Sequence, residues 1–148
     1  MKKMHVYSHT HWDYEWYFTA SESIIQLIYH MDEVISALES GTLKTYLLDS
    51  QVSILEEYLH MMPEKEPVIR KLVEEGKLMI GPWYTKSDEL IISGESLARN
   101  LWYGISYARE LGNCMMIGYL PDSFGQSKDM PKLYNGFDIR EALFWRGC

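Results

Sequence analysis

His9-Thr10-His11-Trp12-Asp13-Tyr14-Glu15-Trp16 is the stretch on which the fold turns. It follows a short apolar run, Met4 to Tyr7, that reads as a β-strand ending in Ser8. Residues two apart on an extended backbone point to the same side. His9, His11 and Asp13 are therefore expected to face one point just past the strand end. An imidazole and a carboxylate converging there suit a divalent ion such as zinc. Two ligands do not hold a catalytic metal, so a third must come from elsewhere in the chain. The plainer alternative is a polar loop whose histidines bond to backbone. The placement after a strand, where α/β folds put their ligands, and the three interleaved aromatics favour the metal.

Outward from this stretch, the same strand-then-loop unit recurs. Thr19-Ala20-Ser21-Glu22 is a capping box, and Ile24, Ile28, Met31, Ile35 and Leu38 follow at helical spacing to about Ser40, with Gly41 as the stop. Thr45 to Leu48 reads as a strand, then a helix carrying Gln51, Leu55, Tyr58 and Met62 up to Pro63, then a shorter one with Val68, Ile69, Leu72 and Val73 up to Gly76. Leu78-Met79-Ile80 is a third strand, running into the loop Gly81 to Glu89. Leu97, Leu101, Ile105, Ala108 and Leu111 mark a further helix, Met115 to Leu120 a fourth strand, Pro131 to Tyr134 a short helix and Ala142 to Trp145 a fifth strand. Short apolar strands alternating with helices predict an α/β fold whose parallel sheet is covered by helices. Pattern alone does not separate an open sheet from an incomplete barrel.

Composition bounds the function. The chain has 148 residues, enough for one domain that buries about 70% of its unfolded surface. A formal charge of −7 argues against nucleic acid, since no Lys/Arg patch is present to release counterions. No run approaches the length of a membrane span, and Lys2 and Lys3 lack an apolar stretch behind them that would make a signal peptide. Cys114 and Cys148 are too few for a disulfide framework. A reduced, cytoplasmic setting is expected; the oligomeric state, a homo-oligomer included, stays open.

H-T-H-W-D-Y-E-W resembles the N-terminal motif of glycoside hydrolase family 38, the zinc-dependent retaining α-mannosidases. The resemblance implies that His11 and Asp13 are metal ligands, that Trp16 stacks on the sugar ring, and that His9 supports the site without ligating. Gly81 to Glu89 is similar to the family's G-x-W…D-E segment, with a spacing that differs by a residue, which makes Trp83 and Asp88 candidate pocket residues; read alone, Asp88 and Glu89 are a solvated turn. Pro121-Asp122-Ser123-Phe124-Gly125-Gln126-Ser127 resembles the family's D-P-F-G-H-S, with Ser123 in place of Pro and Gln126 in place of His. Asp122 then matches an Asp that is both nucleophile and metal ligand, whereas by itself it reads as a helix N-cap. Arg146 matches an Arg that contacts nucleophile and sugar, and a guanidinium there would favour the ionised carboxylate.

By the same resemblance the fold is part of a distorted, incomplete (β/α) barrel and the cofactor one zinc ion. The expected substrate is an α-mannoside oligosaccharide or glycoconjugate, and residues 1–148 are expected to be the truncated N-terminal portion of a catalytic domain. The family's further His ligand and its acid/base carboxylate fall beyond Cys148, so the chain alone is expected to be inactive. Two rivals stand beside it. A metal-dependent polysaccharide deacetylase would carry an H-x-x-x-H ligand spacing, which His5, His9, His11, His30 and His60 do not make on a helix. A non-catalytic carbohydrate-binding module would use the aromatics without needing Asp122.

Overall fold

A computed structural model describes residues 2–144 and residue 146 of the chain. Within them the order is β1 (Ser8–His9), α1 (Ala20–Glu39), β2 (Tyr46–Leu47), α2 (Ser53–Met61), a 3-10 turn (Pro63–Lys65), α3 (Glu66–Glu74), β3 (Leu78–Met79), α4 (Gly94–Glu110), β4 (Ile117–Tyr119), α5 (Met130–Gly136) and β5 (Glu141–Leu143). β1-β2-β3 and β4-β5 pair in parallel. Met115 N donates to Ile80 O at 2.8 Å, joining the run-in of β4 to the end of β3. The expected α/β alternation with parallel strands is present. Because all pairs are parallel, every strand delivers its C-terminal loop to one rim.

Local chemistry accounts for the helices. The Thr19 hydroxyl accepts from Glu22 N, and the Glu22 carboxylate accepts from Thr19 N, so α1 opens on the capping box expected of it. Its buried stripe is Ser23, Leu27, Met31, Val34, Ile35 and Leu38. The stripe is rotated relative to the sequence reading: Leu27 and Val34 take the core positions, and Ile24 and Ile28 are half-buried. Leu97, Leu101, Ile105, Ala108 and Leu111 of α4 are all buried as the spacing predicts. They join Leu48, Leu55, Tyr58, Ile69, Leu72 and Ile80 in one apolar cluster. Gly104 sits where α4 crosses the loop after β3; a Cβ there would run into the backbone of Pro82, Trp83 and Tyr84. Gly81, at φ +76°, has the Cys114 Sγ 2.7 Å from where its own Cβ would be. Only glycine meets both demands at once.

Three expectations are corrected. The strand at Met4 to Tyr7 is absent; pairing begins at Ser8, because β2 reaches only as far as Ser8↔Tyr46 and His9↔Leu47. Met4 and Val6 are left exposed on that open sheet edge. Gln51 is not on α2 but in the turn before it, buried and hydrogen-bonded. The fifth strand is Glu141–Leu143; Trp145, assigned to it from sequence, lies outside the described residues, as does Cys148. Cys114 is a buried free thiol, which burial pushes up to about 11. Among the described residues no helix is long and apolar enough to cross a membrane.

Candidate functional site

Five loops meet on the rim, one after each strand. The loop after β1 is tied down first: Trp12 stacks on His30 of α1 at 5.9 Å, Ser23 Oγ donates to Tyr14 O, and Trp12 N donates to Asp49 at 2.9 Å. This holds His11 with its two nitrogens facing different partners. Nε2 lies 3.4 Å from Asp13 Oδ1 and 3.4 Å from Asp122 Oδ2, the latter carried by the loop after β4. Nδ1 faces Asp49 Oδ1 at 3.4 Å and the Lys86 ammonium at 3.2 Å. The other oxygen of Asp122 meets the Arg146 guanidinium, whose plane also covers the Phe124 ring at 5.0 Å. Asp122 caps no helix, since α5 starts only at Met130.

The donor set can be tested against zinc. Ligand bonds of 2.0–2.2 Å in a tetrahedron put two donor atoms about 3.4 Å apart. Both His11 Nε2 contacts have that length. One imidazole and two carboxylates are also the chemistry that zinc accepts. Among the described residues, no set of three or more such side chains is already closed around a metal-sized point; two pairs share His11. In donor chemistry the residues suit the ion, and Asp13 and Asp122 are half-exposed.

Of the residues expected from sequence, His11, Asp13, Asp122 and Arg146 converge. Trp16, 70% exposed, stands on the edge of the same cleft, a hollow of ≈ 240 Å³ that His11, Asp13, Lys86, Asp88, Asp122 and Phe124 also line. The Asp88 carboxylate also accepts from Phe124 N at 2.7 Å and so shapes the turn carrying Asp122. Trp83 is placed elsewhere. It is fully buried, edge-on to Tyr134 at 6.0 Å, and offers no face to a ligand. His9 also stays apart, packed between Tyr7 and Tyr119. Larger hollows flank α5, but neither brings an imidazole.

Sequence reasoning missed a layer behind these residues. Asp49 is fully buried, and its carboxylate accepts from Trp12 N, from Gln51 Nε2 at 2.8 Å and from the Lys86 ammonium. It stands at φ 43° and Ser50 at φ 55°, a left-handed pair that costs on the order of 1–3 kcal/mol per residue. Ser50 Oγ spends its hydrogen bond on Tyr119 O at 2.7 Å, which fastens the end of β2 to the end of β4. Burial pushes the Lys86 ammonium down, to about 7, against the upward pull of Asp122 and Asp13; the Asp49 carboxylate touching it favours its charged form as well. Asn100 of α4 clamps the Lys86 loop, its Oδ1 accepting from Tyr84 N at 2.8 Å and Thr85 N at 3.1 Å while Nδ2 donates to Thr85 O at 2.7 Å. A polar amide in mid-helix, a poor helix former, was the available signal. Glu89 is buried beneath the rim; Oε2 accepts from Ser127 N at 2.6 Å, Oε1 has no protein partner, and burial raises its carboxyl.

Residues 1–148 match the family described as glycosyl hydrolases family 38 N-terminal domain. A provisionally named mannosylglycerate hydrolase of Halalkalibacterium halodurans is 39% identical over 148 residues, covering 99% of this chain and 16% of that relative. An α-mannosidase of Saccharomyces cerevisiae is 34% identical over 83 residues, 53% of this chain and 8% of that relative. The crystal structure of an α-mannosidase from Enterococcus faecalis superposes with a TM-score of 0.89 at 37% identity, over 93% of this chain and 16% of that one. The chain thus spans about a sixth of the length of the first relative and of that structure.

Proposed function

The chain belongs to glycosyl hydrolase family 38, and we propose on that footing that a polypeptide carrying it is a zinc-dependent retaining α-mannosidase. The observation that carries this reading is the pair of equal 3.4 Å contacts from His11 Nε2 to Asp13 and Asp122, with Arg146 on the remaining oxygen of Asp122. Asp122 is the nucleophile: its carboxylate attacks the anomeric carbon and forms a glycosyl-enzyme intermediate that water later hydrolyses. Arg146 holds that carboxylate in line by engaging the oxygen that does not face His11. Trp16 presents its exposed face to the apolar side of the sugar, and Asp88 keeps the Asp122 turn in shape. His11, Asp13 and Asp122 would hold the zinc ion, which supplies Lewis acidity toward sugar hydroxyls when bound.

Retention needs a second carboxyl about 5 Å from the nucleophile to protonate the leaving oxygen. In this reading that group, like a further His ligand, comes from residues outside the chain, so residues 1–148 alone turn nothing over. The setting is cytoplasmic and the substrate an α-mannoside oligosaccharide or glycoconjugate. A deacetylase or a purely sugar-binding module is not favoured by the family match. The test is Asp122→Ala in a polypeptide that carries this chain and cleaves α-mannosides. Loss of turnover with sugar binding kept supports the nucleophile, and NMR of the first-formed product must give the retained anomer. An Asp122→Ala protein that still turns over, or an inverted product, sinks the reading.

A further inference from the structure

His11 can reach a metal only through Nε2, and whether Nε2 offers a lone pair is settled behind the ring. A neutral imidazole carries one N–H. Nδ1 has two neighbours that ask opposite things of it: Asp49 Oδ1 at 3.4 Å accepts only, and the Lys86 ammonium at 3.2 Å donates only. With the proton on Nδ1, it points at Asp49 and the Nε2 lone pair faces Asp13 and Asp122. With the proton on Nε2, Lys86 donates to Nδ1, and the ring instead hydrogen-bonds the two carboxylates and cannot ligate. The two forms differ by moving one proton between the ring nitrogens, with none gained or lost overall.

We infer that Asp49 is the positioning residue for the His11 imidazole, selecting the Nδ1–H tautomer and so turning the Nε2 lone pair toward the metal, with Lys86 as its counter-charge. The inference rests on the metal reading above and deepens it. The geometry of Asp49 fits the role. It is fully buried, Oδ2 is fixed by Trp12 N at 2.9 Å and Gln51 Nε2 at 2.8 Å, and Oδ1 takes the Lys86 ammonium while facing His11 Nδ1 at 3.4 Å. The left-handed backbone at Asp49 and Ser50 holds this arrangement, since Ser50 Oγ anchors the same turn to Tyr119 O. A carboxylate on the far nitrogen of a metal-binding histidine is a recurrent device, and losing one typically costs about 10–100-fold in metal affinity.

Asp49→Asn makes the opposite choice. Two N–H donors claim the Oδ2 position, so the amide oxygen must sit there and the NH₂ lands opposite Nδ1, where it donates and forces the proton onto Nε2. The experiment is the zinc dissociation constant of a polypeptide that carries this chain and cleaves α-mannosides, by competition with a chromophoric chelator, for the parent, Asp49→Asn, Lys86→Met and the double variant, with circular dichroism to check folding. The expected result is a loss of about 10–100-fold in Asp49→Asn, the same loss in the double variant, which no longer buries an unpaired ammonium, and a smaller loss in Lys86→Met, which keeps the Asp49 carboxylate. Nitrogen-15 NMR of the parent must show His11 protonated on Nδ1 once zinc is added. Folded Asp49→Asn binding zinc within twofold of the parent, or a zinc-loaded parent without the Nδ1 proton, overturns the inference alone. A parent that binds no zinc overturns the metal reading and this inference with it.

Discussion

His11 Nε2 stands as far from Asp122 Oδ2 as from Asp13 Oδ1, 3.4 Å in each case, although Asp13 follows β1 and Asp122 follows β4. On the proposed reading these three side chains hold one zinc ion. His11→Ala and Asp122→Ala are therefore each expected to weaken zinc binding beyond the about 10–100-fold cost of removing a supporting partner. Elemental analysis and chelator competition on the two variants check this. Undiminished zinc in either would mean that the halves of the site do not share a metal.

The two tryptophans part company. Trp83 is wholly buried against Tyr134, and Trp16 is 70% exposed. Trp83→Ala is expected to cost about 3–5 kcal/mol of stability, a fall of about 10 °C or more in Tm at this chain length. Trp16→Ala is expected to stay within about 0.5 kcal/mol of the parent and to lose sugar affinity. Thermal melts and mannoside titrations on both variants would show the opposite pattern if Trp83 faced the ligand.

Asn100 supports the site from α4. Its amide makes hydrogen bonds to Tyr84 N, Thr85 N and Thr85 O, and it holds Ser87 Oγ at 2.9 Å. Asn100→Ala leaves those groups to find water or go unpaired, at a cost of about 1–3 kcal/mol. Calorimetry reads this directly. Hydrogen exchange should speed up at residues 84 to 87 while the core of α4 stays protected, and unchanged exchange in that loop would count against the clamp.

Glu89 makes stability depend on pH. Burial raises its carboxyl above the ordinary 4.5, and Asp88 adds to the rise, against the opposing pull of Ser127 N–H. A carboxyl raised in the folded state contributes its full stability below the unfolded value. That contribution is lost as pH climbs from there through the folded value. Glu89→Gln keeps an acceptor for Ser127 N and has no proton to lose. The variant should therefore gain on the parent as pH rises above the ordinary carboxyl value, as followed by urea unfolding at unit intervals of pH. Parallel curves for the two proteins would rule out a raised carboxyl.

The α/β alternation was legible because apolar spacing of 3.6 along α4 and short apolar runs at β2 to β4 are local properties. The Thr19 cap, too, is written within four residues. His11 and Asp13 could be singled out from a motif at a strand end, whereas Asp122 and Arg146 were reached through the family resemblance, since alone they read as a helix cap and a surface charge. Periodicity failed where one partner's length decided the outcome. Met4 to Tyr7 has strand composition, but β2 offers pairing only from Tyr46 onward. Trp83 has the composition of a sugar-stacking residue, but the close crossing of α4 at Gly104 covers it.

What the sequence by itself determined is therefore the kind of fold, the family and the acidic and imidazole groups that end on one rim. Those depend on residue type and short-range spacing. The tertiary structure decided which groups touch: that His11 turns one nitrogen to Asp13 and Asp122 and the other to Asp49 and Lys86. Asp49, Lys86 and Asn100 lie in separate units of the chain, with no motif to join them. Their roles arise because parallel strands carry every C-terminal loop to the same edge. There a buried carboxylate is tolerated only with a cation and hydrogen-bond donors brought to it, and those donors come from elsewhere in the chain.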